Sequence, residues 1–237
     1  MHYKNICIDV WGPFAMFTRP ESKVERLTYP TPTPSACRGI LNAIYCKRLE
    51  FYYEIEQIDV MNPIRLMTLR RNEVTTKADA KKAANDPDYC IDPNKVRTQR
   101  MCTYIRDVYY RIHAKIVMRD DAPSNVNLFS ISDQFNRRAK NGKCFYQPWL
   151  GTRECACHFS LPDYNRQPLD ISENIGIMLY DVFDIKSNIK IDTSREGKKK
   201  SGKTQVSFFN AVLEHGSVHV PAYDSGELLV TRRNENV

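Results

Sequence analysis

Residues 3 to 11, YKNICIDVW, alternate apolar and polar side chains and predict a β-strand. Thr33-Pro34 gives a good helix start, with threonine as the cap and proline at the first helical position. From there Cys37, Ile40, Leu41 and Ile44 recur at helical spacing, a stripe that must be buried. Residues 49 to 61, LEFYYEIEQIDVM, return to strand chemistry, rich in aromatic and β-branched side chains. The clearest strand is 101 to 118, MCTYIRDVYYRIHAKIVM. On it Val108, Tyr110, Ile112, Ala114, Ile116 and Met118 fall on one face, and Tyr109, Arg111, His113 and Lys115 on the other. Pro123 and Ser124 open a predicted helix that runs through about residue 139, with Leu128, Ile131 and Phe135 as its stripe and Asn141-Gly142 as its stop. Residues 143 to 160 predict a further strand, with Gly151 at a bulge or a close backbone approach.

These elements run β-α-β-β-α-β, the ferredoxin-like order shared by RNA-recognition (RRM-like) folds. The expected fold is therefore α+β, with a ferredoxin-like domain over residues 1–160. Two segments interrupt it: a basic, proline-punctuated loop at 12–32 and a polar insertion at about 67–100, with a lysine and alanine run near 77–84. Beyond residue 160, short apolar runs at 175–183, 188–192, 205–213 and 217–220 predict a small, mainly antiparallel β region over 161–237. Its cationic stretch SREGKKKSGK, 194–203, reads as a basic hairpin tip. This arrangement is used for many functions, so it names none.

Composition narrows the class. A 237-residue chain that is 42% hydrophobic and 11% aromatic, with only 9 glycines, is expected to pack rather than stay disordered. A net charge of +7 is compatible with nucleic acid without requiring it. No apolar run approaches the ~20 residues of a membrane span, and MHYKNICIDVWGPF lacks the order of a signal peptide, so a cytoplasmic protein with no membrane partner is expected. The 8 cysteines form no C-x-x-C pair and read as small buried hydrophobes. Cys155, Cys157 and His158 cluster, but on a strand 158 points away from the other two, so no metal site is expected there. No Walker loop, dinucleotide fingerprint or serine elbow is present, and no cofactor is expected.

The candidate chemistry suits a polyanion. Arg19, Lys23 and Arg26 sit in the 12–32 loop with Phe14, Phe17 and Tyr29, a mixture that fits the surface of a folded RNA. Arg38 lies in the first turn of a helix, where the dipole disfavours a cation, which points to a ligand or an ion pair. Trp149 and Arg153 flank Gly151 and suit contact with an RNA stem; core packing describes Trp149 equally well. Cutting RNA without a metal needs a base for the ribose 2′-hydroxyl, a cation for the phosphorane and an acid for the leaving oxygen. His113 and Lys115 share one strand face with Arg111 and Tyr109; the histidine suits the acid or the base role and the lysine the cation. From the pattern alone the solvated face of a half-buried strand is the simpler reading. Tyr45 ends the first helix, and a cluster of Lys47, Arg48 and Lys115 would lower its pKa if the fold brought them together.

Four segments carry a resemblance: FTRPESKVER (17–26), TPSACRGILNAIY (33–45), YIRDVYYRIHAK (104–115) and QPWLGTREC (147–155). In that order they resemble the family-five CRISPR-associated (Cas) protein of type I-C systems, across roughly the first two thirds of the chain. The resemblance implies a ferredoxin-like fold and a metal-independent endoribonuclease that cuts precursor CRISPR RNA at the 3′ base of the repeat stem-loop. It implies that the protein stays on the guide RNA with the other Cas subunits of the interference complex, and meets target DNA indirectly. The family's reacting groups are a tyrosine at the end of the first helix and a lysine and a histidine on the strand after the insertion. Those elements match Tyr45, His113 and Lys115 here; the candidate RNA contacts, read from charge and position, are Arg19, Lys23, Arg26, Arg38, Lys47, Arg48, Arg111, Trp149 and Arg153. Arg48 stands where relatives usually have proline. Relatives in other subtypes only cap the 5′ handle of the guide, which is the competing expectation. A general duplex binder driven by the basic loops is a third.

Overall fold

The alternation of residues 3 to 11 extends further than its apolar residues alone require. In the computed structural model, which describes residues 3–22, 24–183, 185–186 and 206–231, β1 runs Tyr3–Ala15. It turns Ile6, Ile8 and Val10 into the core. Helix α1 (Pro34–Ile44) starts as its sequence dictates: the Thr33 hydroxyl accepts from the Ala36 amide, satisfying one of the helix's unpaired donors. Cys37, Ile40, Leu41 and Ile44 all lie at 1% exposure or less. β2 (Phe51–Val60) and β4 (Arg97–Met118) follow the predicted strands, and α4 (Leu128–Lys140) starts at Asn127, whose side chain caps the Phe129 amide, several residues later than expected.

Two expectations are corrected. The 67–100 segment contains β3 (Arg65–Val74), which pairs with residues 97–106 of β4 to make a long two-stranded arm. Two short helices, α2 (Ala80–Asn85) and α3 (Pro93–Val96), close its end. β3 was hidden because its sequence, RLMTLRRNEV, buries neither face and so carries no clean alternation. Asp107, at φ 51, marks the elbow where β4 leaves this arm and enters the main sheet. The strand expected at 143–160 shrinks to β5 (His158–Ser160). Residues before it form tight turns, because Pro148 removes a donor and Gly151 at φ 88 lies against the Met16 carbonyl.

β6 (Glu173–Asp181), β7 (Val206–Glu214), β8 (Ser217–His219) and β9 (Leu229–Thr231) complete one antiparallel sheet among the described residues, ordered β5-β1-β4-β2-β8-β7-β6. β3 pairs with β4, and β9 with β7. The C-terminal strands join the sheet where β8 pairs with β2, with Val218 opposite Ile58. Helices α1 and α4 cover one face over a single hydrophobic cluster that includes Ile44, Tyr45, Tyr53, Tyr110, Ile112, Ala114, Phe135, Phe209 and Val218. The other face carries Tyr109, Arg111, His113 and Lys115, the period-two alternation of β4 made visible. The run 188–192 and the basic stretch 194–203 lie outside the described residues, as does Lys23. Among the described residues no helix is long and apolar enough to cross a membrane.

Candidate functional site

The open face is built from three strands in register. Cys7 of β1, His113 of β4 and Gln57 of β2 stand side by side, and Asp59 follows opposite Arg111. The His113 ring nitrogen Nε2 lies 2.8 Å from Asp59 Oδ2. Gln57 Nε2 and the Ser217 hydroxyl donate to Asp59 Oδ1 at 2.6 and 2.8 Å. Burial alone would raise the Asp59 pKa, but the bonds from His113, Gln57 and Ser217 outweigh it and hold the carboxyl below its usual value. The Asp59 and Cys7 hydrogen bonds in turn raise His113 to about 10, so it is an imidazolium at neutral pH.

Lys115 is paired as well. β2 bulges between Ile55 and Gln57, which leaves Glu56 off the ladder and turns its carboxylate 2.5 Å from Lys115 Nζ. The hydrogen bond to Glu56 raises the Lys115 pKa. His113, Lys115, Glu54, Glu56, Gln57 and His219 line a depression of about 380 Å³ on this face. It holds two cations at neutral pH, His113 and Lys115, each against a carboxylate: groups able to donate a proton and to steady an anion.

Tyr45 is not brought to this pair. It ends α1 on the helix-covered face, 7% exposed, with Phe51 and Phe145 rings at 5.7 and 6.2 Å. The sheet lies between it and His113, because Ala114 and Ile112 face Tyr45's side while His113 and Lys115 face away. The Lys47 ammonium, whose pKa is raised first by its hydrogen bond to Glu50, is near enough to Tyr45 for the two to interact electrostatically.

The expected RNA contacts divide by exposure. Arg111 is corrected from surface contact to internal tie: at 4% exposure it spans Asp9 at 2.7 and 3.1 Å and donates to the Asp163 and Arg166 carbonyls. Arg38, expected as a ligand or ion-pair residue and as an RNA contact, pairs with Asp181 of β6. In the 12–32 loop, Phe17 and Tyr29 are also corrected. They are buried, Tyr29 donating its amide to Phe17 and carrying the Arg19 guanidinium over its ring at 4.6 Å. Arg26 is held bidentately by Glu73 at 2.7 and 3.0 Å, and its backbone pairs with β4 on both sides of Cys102. The loop is therefore pinned rather than free. Lys47 pairs with Glu50 at 2.9 Å, while Arg48 and Arg153 are exposed.

Trp149 and Arg153, expected as RNA contacts, belong to a second cluster whose other members, Arg138, Phe145 and Tyr146, were missed in the sequence. Arg138 of α4 donates to the Ile44 carbonyl and lies over the Phe145 ring at 4.2 Å. Next along the chain Tyr146 packs on Trp149 at 5.7 Å, and Arg153 sits 5.7 Å over that tryptophan. Phe145 and Tyr146 are 56% and 49% exposed. Two adjacent aromatics directly after a helix stop, three residues before Trp149, were the available signal.

The sequence model of the CRISPR-associated protein (Cas_Cas5) family, Cas5d, matches residues 5–221. The chain belongs to this family. Two curated relatives carry the name "CRISPR pre-crRNA endoribonuclease Cas5d". One, from Thermus thermophilus, is 37% identical over 224 residues, 93% of each chain. The other, from Mannheimia succiniciproducens, is 36% identical over 237 residues, 94% of this chain and 97% of the relative. Solved structures agree on the fold. A CRISPR-associated protein superposes with TM-score 0.68 at 19% identity, covering 98% of both chains. A functionally uncharacterized protein from Streptococcus mutans gives 0.64 at 18% identity, covering 97% of this chain and 99% of that one.

Proposed function

We propose that this Cas5d-family chain is a pre-crRNA endoribonuclease that remains with its product as a subunit of the CRISPR interference complex. The observation that carries this is the likeness, at 36 and 37% identity over more than nine tenths of the chain, to two proteins named for that activity. The strand order β5-β1-β4-β2, with α1 after β1 and α4 after β4, supports reading the first part of the fold as ferredoxin-like with β3 inserted. We place the cut at the 3′ base of the repeat stem-loop, by attack of the 2′-hydroxyl and without a metal.

The reacting groups we propose are Tyr45, His113 and Lys115, in roles that their surroundings support unequally. His113 and Lys115 are both charged at neutral pH, which suits protonation of the leaving 5′-oxygen and stabilisation of the phosphorane. A base role suits neither. Tyr45, near the Lys47 ammonium, lies on the other face, so one phosphate cannot meet all three in this arrangement. Separate variants decide between the faces. Loss of cutting with retained RNA affinity in His113→Ala alone puts the chemistry on the open face, and in Tyr45→Phe alone on the helix face.

The test of the activity itself is a labelled repeat stem-loop in EDTA beside a copy with one 2′-deoxy sugar at the suspected cut. Cleavage of the first only is the expected result. The separation of Tyr45 from a carboxylate-paired His113 and Lys115 favours one alternative, a subunit that only caps the 5′ handle. Tight binding without cleavage of either RNA would establish it.

A further inference from the structure

Between the first turns of α1 and the 146–151 loop lies a cleft of about 140 Å³, lined by Ser35, Ala36, Gly39, Tyr146, Pro148 and Trp149 together with Gly151. A cavity of roughly 150 Å³ holds one benzene ring, so this cleft has room for a single planar ring and none for a helix. Its far wall is rigid. Met16 donates its amide to the Leu150 carbonyl at 3.0 Å, Leu150 to Cys155 at 2.7 Å and Cys157 to Pro148 at 3.0 Å. Gly151 sits against the Met16 backbone with no room for a side chain, since a Cβ there would meet the Met16 carbonyl at 2.0 Å. Its near wall is open at Gly39, where a Cβ would meet nothing within 4 Å. Around the mouth stand Arg153 over Trp149 and the exposed Arg48, which is close enough to act electrostatically on the Tyr146 hydroxyl. Phe145 with Arg138 above it continues the aromatic surface to Tyr45.

We infer that this cleft is a subsite for one unpaired nucleobase of the RNA, stacked against Tyr146 and Trp149 with its flanking phosphates held by Arg153 and Arg48. Exposed aromatics bordered by arginines, beside a slot for one ring, are what single-stranded recognition requires, because every base offers a π-face and every linkage a charge. The subsite would fix which strand segment reaches the Tyr45 end of α1. The inference rests on the RNA-processing reading and adds a place and a register to it.

The test uses the full chain with Trp11→Phe, which leaves Trp149 as the one tryptophan of 2, and a repeat stem-loop carrying the protecting 2′-deoxy sugar. Binding should quench Trp149 emission. Gly39→Leu fills the cleft from a position with free space and should weaken binding by about 5- to 150-fold, the range that loss of one stacked base spans. Replacing each unpaired nucleotide by an abasic one should reveal a single position whose penalty vanishes in Gly39→Leu. Tyr146→Ala, a change at an exposed side chain, should reproduce the loss and carries the test alone if Gly39→Leu does not fold. RNA binding at wild-type affinity in both variants, with Trp149 emission unchanged, overturns the subsite and leaves the RNA reading standing. Absence of any RNA binding by the unsubstituted chain overturns both.

Discussion

Arg111 and His113 stand two positions apart on one strand face, and both meet a carboxylate, yet the consequences differ with burial. Asp9 is fully buried and also accepts from the Tyr109 hydroxyl at 3.1 Å and the Asp163 amide at 3.0 Å. Arg111→Ala would leave that charge without its counter-ion, which in buried pairs costs about 3–5 kcal/mol. Urea denaturation should show a loss of that size, while RNA affinity at low temperature stays within two- or threefold of wild type. A large affinity loss without destabilisation would return Arg111 to the RNA surface. The His113–Asp59 pair instead writes a pH signature. A histidine whose pKa rises from 6.5 to about 10 on folding contributes stability fully below pH 6.5 and loses it as the pH climbs to 10. Asp59, lowered on folding, adds a contribution that disappears in acid. The melting-temperature gap between wild type and His113→Gln should therefore be widest near pH 5 to 6.5 and close toward pH 10. A gap that is flat across this range would mean that the pair is not charged as described.

At the level of elements, α1 links the parts that matter: Thr33 starts it, Arg38 ties it to β6, Gly39 opens the cleft and Tyr45 ends it. Thr33→Ala should cost about 1 kcal/mol, the usual worth of a lost cap, because the Ala36 amide loses its acceptor. A thermal melt would register it, and no change would mean that water caps the helix equally well. α1 also shows what the sequence held and what it withheld. Its cap, its stripe and its end were readable from Thr33-Pro34 and from Cys37, Ile40, Leu41 and Ile44. So was the sharing of one face by His113 and Lys115. Their separation from Tyr45 was implicit too: Tyr45 continues the stripe four residues after Leu41, and an apolar stripe must pack on the apolar face of β4, the one that excludes His113. What no local pattern carried was the partner of each cation. Asp59 and Glu56 reach His113 and Lys115 only through the register of β2 on β4 and a bulge at one residue. β3 was unreadable for a related reason, since it is held by β4's backbone rather than by its own burial.

Across the whole molecule, the joint between β2 and β8 decides whether the chain behaves as one unit. Gly216 accepts from the Val60 amide at 2.7 Å, Val60 from Leu169 at 3.0 Å and Glu56 from Val220 at 2.9 Å. Val218, Leu213 and Met178, all fully buried, share the cluster that holds Ile58 and Leu41. Arg38 to Asp181 crosses the same boundary, and Arg119 donates to the Ile185 carbonyl at 3.2 Å. Removing the C-terminal strands would expose Ile58 on β2's open edge and take from Arg38 its Asp181 partner, a combination of lost apolar burial and a lost ion pair. The two parts should then unfold together. Hydrogen exchange under native conditions should give amides of β7 and β8 opening free energies within about 1 kcal/mol of those in β1 and β4, and calorimetry a single transition. Early, separate exchange of β6 to β8 would instead mark the C-terminal strands as an independent unit. In that case the Arg38–Asp181 pair would break with them, and α1, the helix that carries both Tyr45 and the Gly39 wall of the cleft, would lose its tie to the far side of the sheet.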